Sequence, residues 1–175
     1  LNIGFFSRIE RGRPFVRVKL ASTLDGRTAP ADGSRLAITS AVAQRDGHHW
    51  RARASAVLTG VGTVLADDPL LSVRLDLAHV SLLRVIADTR LRMPPSACML
   101  HDGGPRVMVA CADDSDAGRR RALEAAGAEV VALPLDGAHI DLRALLRLLA
   151  QRQVNELHVE AGASLAGGLL RAGML

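Results

Sequence analysis

The sequence predicts an α/β fold with a mostly parallel central sheet flanked by helices, and three observations predict it. Short apolar runs recur along the chain, and most are followed by a stretch with helical periodicity. The runs are apolar enough to be strands buried on both faces, as a parallel sheet requires. Turns rich in glycine, hydroxyls or acids follow several of them, at the strand ends where open parallel sheets bind ligands.

The elements follow in order. Residues 1–13 mix apolar and basic groups with Gly4 and Gly12 and read as a lead-in or linker. After Pro14, residues 15–21 form an apolar-rich strand with partial alternation. Gly26, Pro30 and Gly33 mark a long turn region. Thr39 and Ser40 cap a helix running to about Ala54, with Val42, Ala43, His49 and Trp50 on its inner side. Residues 56–59 are a second strand that meets Gly60, Val61, Gly62 and Thr63. Strands over 83–87 and 106–111 follow, then a helix over 115–126 that Gly127 ends. A strand covers 129–133, and Asp141 caps a helix with Leu142, Leu145, Leu146 and Leu149 on one face. A strand over 154–160 then leads through a glycine-rich turn into a helix within 162–170.

Composition narrows the class. The chain has 175 residues, 49% of them hydrophobic and 23% charged, which suits a globular protein and excludes a disordered one. Apolar runs are broken well short of the roughly 18 residues that a membrane span needs. No basic segment followed by an apolar one opens the chain, and the reading is a cytoplasmic protein with no membrane partner. Cys98 and Cys111 make neither a disulfide framework nor a metal site, and no His/Cys set has metal-ligand spacing. The isoelectric point of about 10.3 suggests nucleic acid. With aromatics at 2% and no tyrosine, however, bases have almost nothing to stack on. A net charge of +4 suits anionic small molecules equally well. Among 22 basic residues, Lys19 is the only lysine.

Four features carry chemistry, each with a plainer alternative. The turn from Glu160 through Gly168 follows a strand and opens a helix, whose amides favour a phosphate; a tight strand-to-helix turn reads the same way. Residues 59–69 offer two glycines, hydroxyls and Asp67 and Asp68, either as the floor of a ligand site or as an Asp-Asp-Pro turn bonding its own backbone. Lys19 ends the first strand, where it serves a substrate or is an ordinary edge lysine. Arg51 and Arg74 have the fork that grips phosphate, although most arginines are solvated surface. No nucleophile-elbow motif is present.

Three segments, taken together, resemble one family. They are Val18-Lys19-Leu20-Ala21-Ser22-Thr23-Leu24-Asp25-Gly26-Arg27-Thr28-Ala29, the stretch from Leu58 to Pro69, and Val159-Glu160-Ala161-Gly162 with Leu165-Ala166-Gly167. Ile38-Thr39-Ser40 and Arg45-Asp46 with Arg51-Ala52 fall between them in order. The chain resembles the reductase domain of the bacterial bifunctional riboflavin-biosynthesis deaminase–reductase. Residues 1–13 are similar to the tail of the family's deaminase domain, and residues 14–175 to the reductase domain without its closing strands.

The resemblance implies a dihydrofolate-reductase-like fold and NADPH-dependent reduction of 5-amino-6-(5-phosphoribosylamino)uracil to its ribitylamino counterpart. It implies Lys19 and Asp67 as catalytic residues. The cofactor side would be Ala21, Thr63, Asp67, Thr89 and the turn of Gly162, Ala163, Ser164, Leu165, Ala166, Gly167 and Gly168. The substrate side would be Ser34, Arg51, Leu71, Arg74 and Glu160, with Arg51 and Arg74 on the ribose phosphate. Arg90 is a candidate for the cofactor's 2′-phosphate. A homodimer and a deaminase domain or partner are also implied; a deaminase activity in this chain is not, since its zinc motifs are absent. Ala163 stands where the family commonly has proline. The alternative is a catalytically weak nucleotide-binding or assembly module supporting a deaminase partner.

Overall fold

Residues 2–30, 37–75 and 82–175 are described by the computed structural model. The segment expected as a lead-in is a helix, α1 (Ile3–Arg11), closed by Gly12 in the left-handed region at φ 63°. It docks through its only glycine. A methyl on Gly4 would lie 2.7 Å from Asn155 O and 2.6 Å from Glu156 Cγ. Arg8 Nε also donates to Asn155 Oδ1 at 2.7 Å. Gly4→Ala is therefore expected to destabilise the fold by about 1–3 kcal/mol through overpacking. Urea denaturation checks this, and an unchanged midpoint would mean that α1 docks loosely.

The next elements are β1 (Phe15–Val18), α2 (Ala41–Arg53), β2 (Ala56–Gly60), α3 (Val61–Asp67), β3 (Leu83–Ala87) and β4 (Val107–Ala112). They are followed by α4 (Ala117–Ala125), β5 (Glu129–Leu133), the short hairpin β6 (Leu135–Asp136) and β7 (His139–Ile140), α5 (Leu142–Gln151), β8 (Glu156–Val159) and α6 (Ala163–Arg171). Ser40 and Asp141 accept from backbone amides at the starts of α2 and α5, as the sequence reads, and Asp116, not singled out by the sequence, does the same for α4. Gly127 ends the α4 turn at φ 94°.

Six strands form one sheet in the order β1-β8-β2-β3-β4-β5, and every neighbouring pair is parallel. Strand alternation splits the core between its faces. On one face Leu58, Val85, Met108, Leu157 and Val159 pack with Leu145, Leu146 and Leu149 of α5 and Leu169 of α6. On the other, Val57, Ile86 and Val109 pack with Val61 and Val64 of α3 and Leu123 of α4.

Two expectations need correction. Helix α2 buries no residue: Val42 is 78% exposed and Trp50 38% exposed, so the expected inner side of Val42, Ala43, His49 and Trp50 is not a core face. Trp50 instead lies under the Arg17 guanidinium, 4.2 Å from the ring centroid. The second is α3. Residues 61–67 fold as a helix directly on the end of β2, with Gly60 as its N-cap, where the sequence reads as a strand end leading to an Asp-Asp-Pro turn with no helix between.

Candidate functional site

With all six strands parallel, their carboxyl ends share one edge of the sheet. Chain direction singles out one point on that edge. From β2 the chain continues through α3 on one face, and from β8 through α6 on the other. Neighbouring connections that part to opposite faces leave a crevice between them, the usual ligand position in an open α/β sheet. Gly60, Glu160 and Gly162 stand at its mouth, tied by Thr59 Oγ1 donating to Glu160 O at 2.7 Å.

The α6 N-terminus opens here. Its N-cap, Gly162, provides no side-chain acceptor for the first-turn amides. A methyl on Gly162 would meet nothing within 4 Å, so the backbone is open to a ligand. That fits the glycine-rich reading of residues 162–168, and Ala163 in place of proline still enters the helix.

Glu160 is the electrostatic centre. Arg51 forks onto it, with Nε to Oε1 at 2.7 Å and Nη2 to Oε2 at 2.9 Å, while Arg51 Nη1 donates to Ser72 O at 2.5 Å. His158 Nε2 lies 3.4 Å from Glu160 Oε1, an ion-pair distance without the alignment of a hydrogen bond. Burial pushes the Glu160 carboxyl up, but His158 and the Arg51 fork outweigh it and hold the group at about 2. Beside the pair, burial and the Arg51 and Arg74 cations push the His48 imidazole below its ordinary value. Its ring packs on Arg74, with Nδ1 3.3 Å from the Arg74 amide.

Lys19 enters from the adjacent edge. Its amide donates to Val159 O at 2.9 Å, extending the β1–β8 ladder by one residue. Together with Trp50, Asp46 and His158 it lines a cleft of about 250 Å³ between α2 and the sheet. A larger hollow of about 690 Å³ lies against Ser22, Thr23, Leu24, Ala37 and Ile38, further along the same segment.

The structure thus links Lys19, Glu160, Arg51, Leu71 and Arg74 in one run of neighbours. Ala21 lies two residues past Lys19, Thr63 in the first turn of α3, and Asp67 at its last residue. Asp68 does not bond its own turn: its Oδ1 accepts from Cys98 N at 2.9 Å. Thr89 follows β3 further along the edge, and its hydroxyl accepts from Ile140 N at 3.2 Å. Ser34 lies outside the described residues. Arg51, expected on a phosphate, spends its guanidinium on Glu160 and Ser72. Leu71, expected on the substrate side, has its side chain in the core, which leaves only its backbone for such a contact.

Sequence reasoning missed His158, which is 1% exposed with neither ring nitrogen hydrogen-bonded. The signal was there: a histidine flanked by Leu157 and Val159 in a central strand is a buried polar group. It also missed Arg84, buried on β3 and forked onto Asp102. Among the described residues, no helix is long and apolar enough to cross a membrane.

The chain is similar to known proteins over its whole length. A family model described as the RibD C-terminal domain matches residues 14–175. Riboflavin biosynthesis protein RibD of Bacillus amyloliquefaciens is 38% identical over 99% of this chain and 46% of its own length. Among solved structures, Acinetobacter baumannii RibD superposes with a TM-score of 0.82 at 35% identity, over 100% of this chain and 47% of that one. A Thermotoga maritima diaminohydroxyphosphoribosylaminopyrimidine deaminase/5-amino-6-(5-phosphoribosylamino)uracil reductase matches with a TM-score of 0.76 at 29% identity, over 97% of this chain and 45% of that one. The chain spans about half the length of the curated relatives it matches.

Proposed function

The chain belongs to the RibD C-terminal domain family, and on that premise we propose that it reduces 5-amino-6-(5-phosphoribosylamino)uracil to 5-amino-6-(5-phosphoribitylamino)uracil with NADPH. One observation carries the reading: a bare helix N-terminus and a partly buried carboxylate–arginine pair meet at the crevice between β2 and β8.

The parts fit the ligands. NADPH, when bound, would supply a hydride to C1 of the opened sugar, which is reached as an imine that keeps its bond to the pyrimidine nitrogen. Gly162 and the first turn of α6, with Ser164, suit its pyrophosphate, and Thr63, Asp67, Ala21 and Thr89 border the same edge. Arg90, exposed just past Thr89, is the candidate for the 2′-phosphate. On the substrate side, Arg74 and the Leu71 backbone serve the ribose phosphate. Glu160, ionised at neutral pH, accepts hydrogen bonds, and its pairing orients Arg51. Reduction needs a proton at the atom that loses its double bond to C1. Lys19, or a water it holds, donates it from the cleft beside His158. In this reading residues 14–175 are the reductase unit, and residues 1–13 join it to a deaminase domain. The working form is a cytoplasmic homodimer, with neither nucleic acid nor membrane as a partner.

The test is NADPH oxidation, followed by absorbance, with the deaminated phosphoribosylaminopyrimidine and with NADH in parallel. Substrate-dependent oxidation faster with NADPH than with NADH is expected, and Arg90→Ala is expected to narrow that preference. The alternative, a module that binds nucleotide and supports a deaminase partner, draws on the commitment of Arg51 to Glu160 and Ser72, which leaves Arg74 as the freer phosphate ligand of the two. NADPH binding without turnover selects it.

A further inference from the structure

Residues 70–72 carry Leu71 past the crevice, and an arginine holds them from each side, Arg84 fully buried and Arg51 partly so. Arg84 is 1% exposed. Its Nη1 donates to Leu70 O at 3.0 Å, and the same guanidinium forks onto Asp102 at 2.7 and 3.1 Å and reaches Pro105 O. From the other side, Arg51 Nη1 donates to Ser72 O at 2.5 Å while its remaining nitrogens hold Glu160.

Leu71, between the two pinned carbonyls, sits in the left-handed region at φ 51°, an uncommon conformation for a residue with a side chain. Such a backbone persists where its surroundings over-determine it. Here two guanidinium groups do so, and each is oriented by its own carboxylate. A buried ion pair is a weak source of stability compared with an apolar core. The distinct consequence of the Arg84–Asp102 pair is geometric: it fixes where Leu70 O lies.

We infer that Arg84, oriented by Asp102, is a positioning residue for the phosphorylated end of the substrate. It holds Leu70 O from the core while Arg51 holds Ser72 O from the crevice, and together they set the Leu71 backbone and the approach of Arg74. The inference rests on the functional reading above, which places residues 71 and 74 on the substrate side.

The experiment compares Arg84→Met, Arg84→Lys and Asp102→Asn with the unsubstituted protein. It reads KM for the phosphoribosylaminopyrimidine, kcat, NADPH affinity, and amide hydrogen exchange over residues 70–73. Arg84→Met is expected to raise the substrate KM by roughly tenfold to a hundredfold, as misplacement of a positioned group does. kcat and NADPH affinity should change little, and exchange over 70–73 should quicken. Arg84→Lys, which keeps one donor, should fall between. A uniform loss of kcat, KM and NADPH affinity, or unchanged exchange, overturns the inference. Should Arg84→Met not fold, Asp102→Asn, which leaves the arginine in place but unoriented, decides the question by the same readouts. If the unsubstituted protein reduces no substrate, the functional reading falls by itself. The exchange data then decide the clamp: quickened exchange in the variants supports it, and unchanged exchange overturns it.

Discussion

Lys19→Ala is expected to lower kcat for the phosphoribosylaminopyrimidine by about 10²–10⁴-fold, the range typical of a lost proton donor, with NADPH affinity unchanged. The argument starts from position. The Lys19 backbone is locked to β8 through Val159 O, so its side chain leaves the sheet at a fixed point on the carboxyl edge. It lines the cleft with His158, whose ring lies against Glu160. Steady-state kinetics beside NADPH titration by fluorescence checks the prediction. A variant that folds, binds NADPH and keeps its rate would move the proton to water and leave Lys19 a lining residue only.

The second large effect concerns acid stability and Glu160. The sign follows from its depressed carboxyl. The folded group titrates at about 2 against an ordinary 4.5, so it contributes stability that is fully present above about pH 4.5. That contribution is lost as pH falls through about 2. A depression of this size corresponds to about 3 kcal/mol, and the group is sheltered enough for solvent to screen little of it, since its side chain is 19% exposed. Glu160→Gln should remove this pH dependence. At neutral pH it should also cost about 2 kcal/mol, below the range for breaking a fully buried pair, because the Arg51 charge is left without its carboxylate in a partly exposed site. Urea midpoints for both proteins between pH 2 and pH 7 provide the check. Parallel curves would mean that Glu160 is not the group whose protonation unfolds the protein.

The strands over 83–87 and 129–133 coincide with the expected ranges because each carries a β-branched apolar stretch with a clear stop, Asp88 after Val85-Ile86-Ala87 and Pro134 after Val130 to Leu133. Asp141 and the leucines of α5 were equally legible, since a cap and a 3.6-residue period are local properties. Helix α3 was not. Its start on Gly60 and its two glycine- and acid-bearing ends look like turn chemistry, and packing of Val61 and Val64 against Val57 makes it a helix. In α2 the apolar positions suggested a buried face, yet the helix lies over a cleft, and Trp50 stacks on Arg17 instead of entering the core.

By itself, the sequence determined the fold class and pointed to the carboxyl-edge loops as the place to look for a ligand, with Lys19, Glu160, Arg51 and Arg74 as residues worth following. Each of these depends on local pattern or on a short motif. Only the tertiary structure decided how they are joined. That Arg51 binds Glu160 across 109 residues of chain, and that Arg84 and Arg51 close on the two carbonyls flanking Leu71, depends on strand order. β8 enters the sheet between β1 and β2, which brings Lys19, His158 and Glu160 to one edge. Strand order is fixed by burying both faces of the sheet at once, a condition on the whole chain that no single segment expresses.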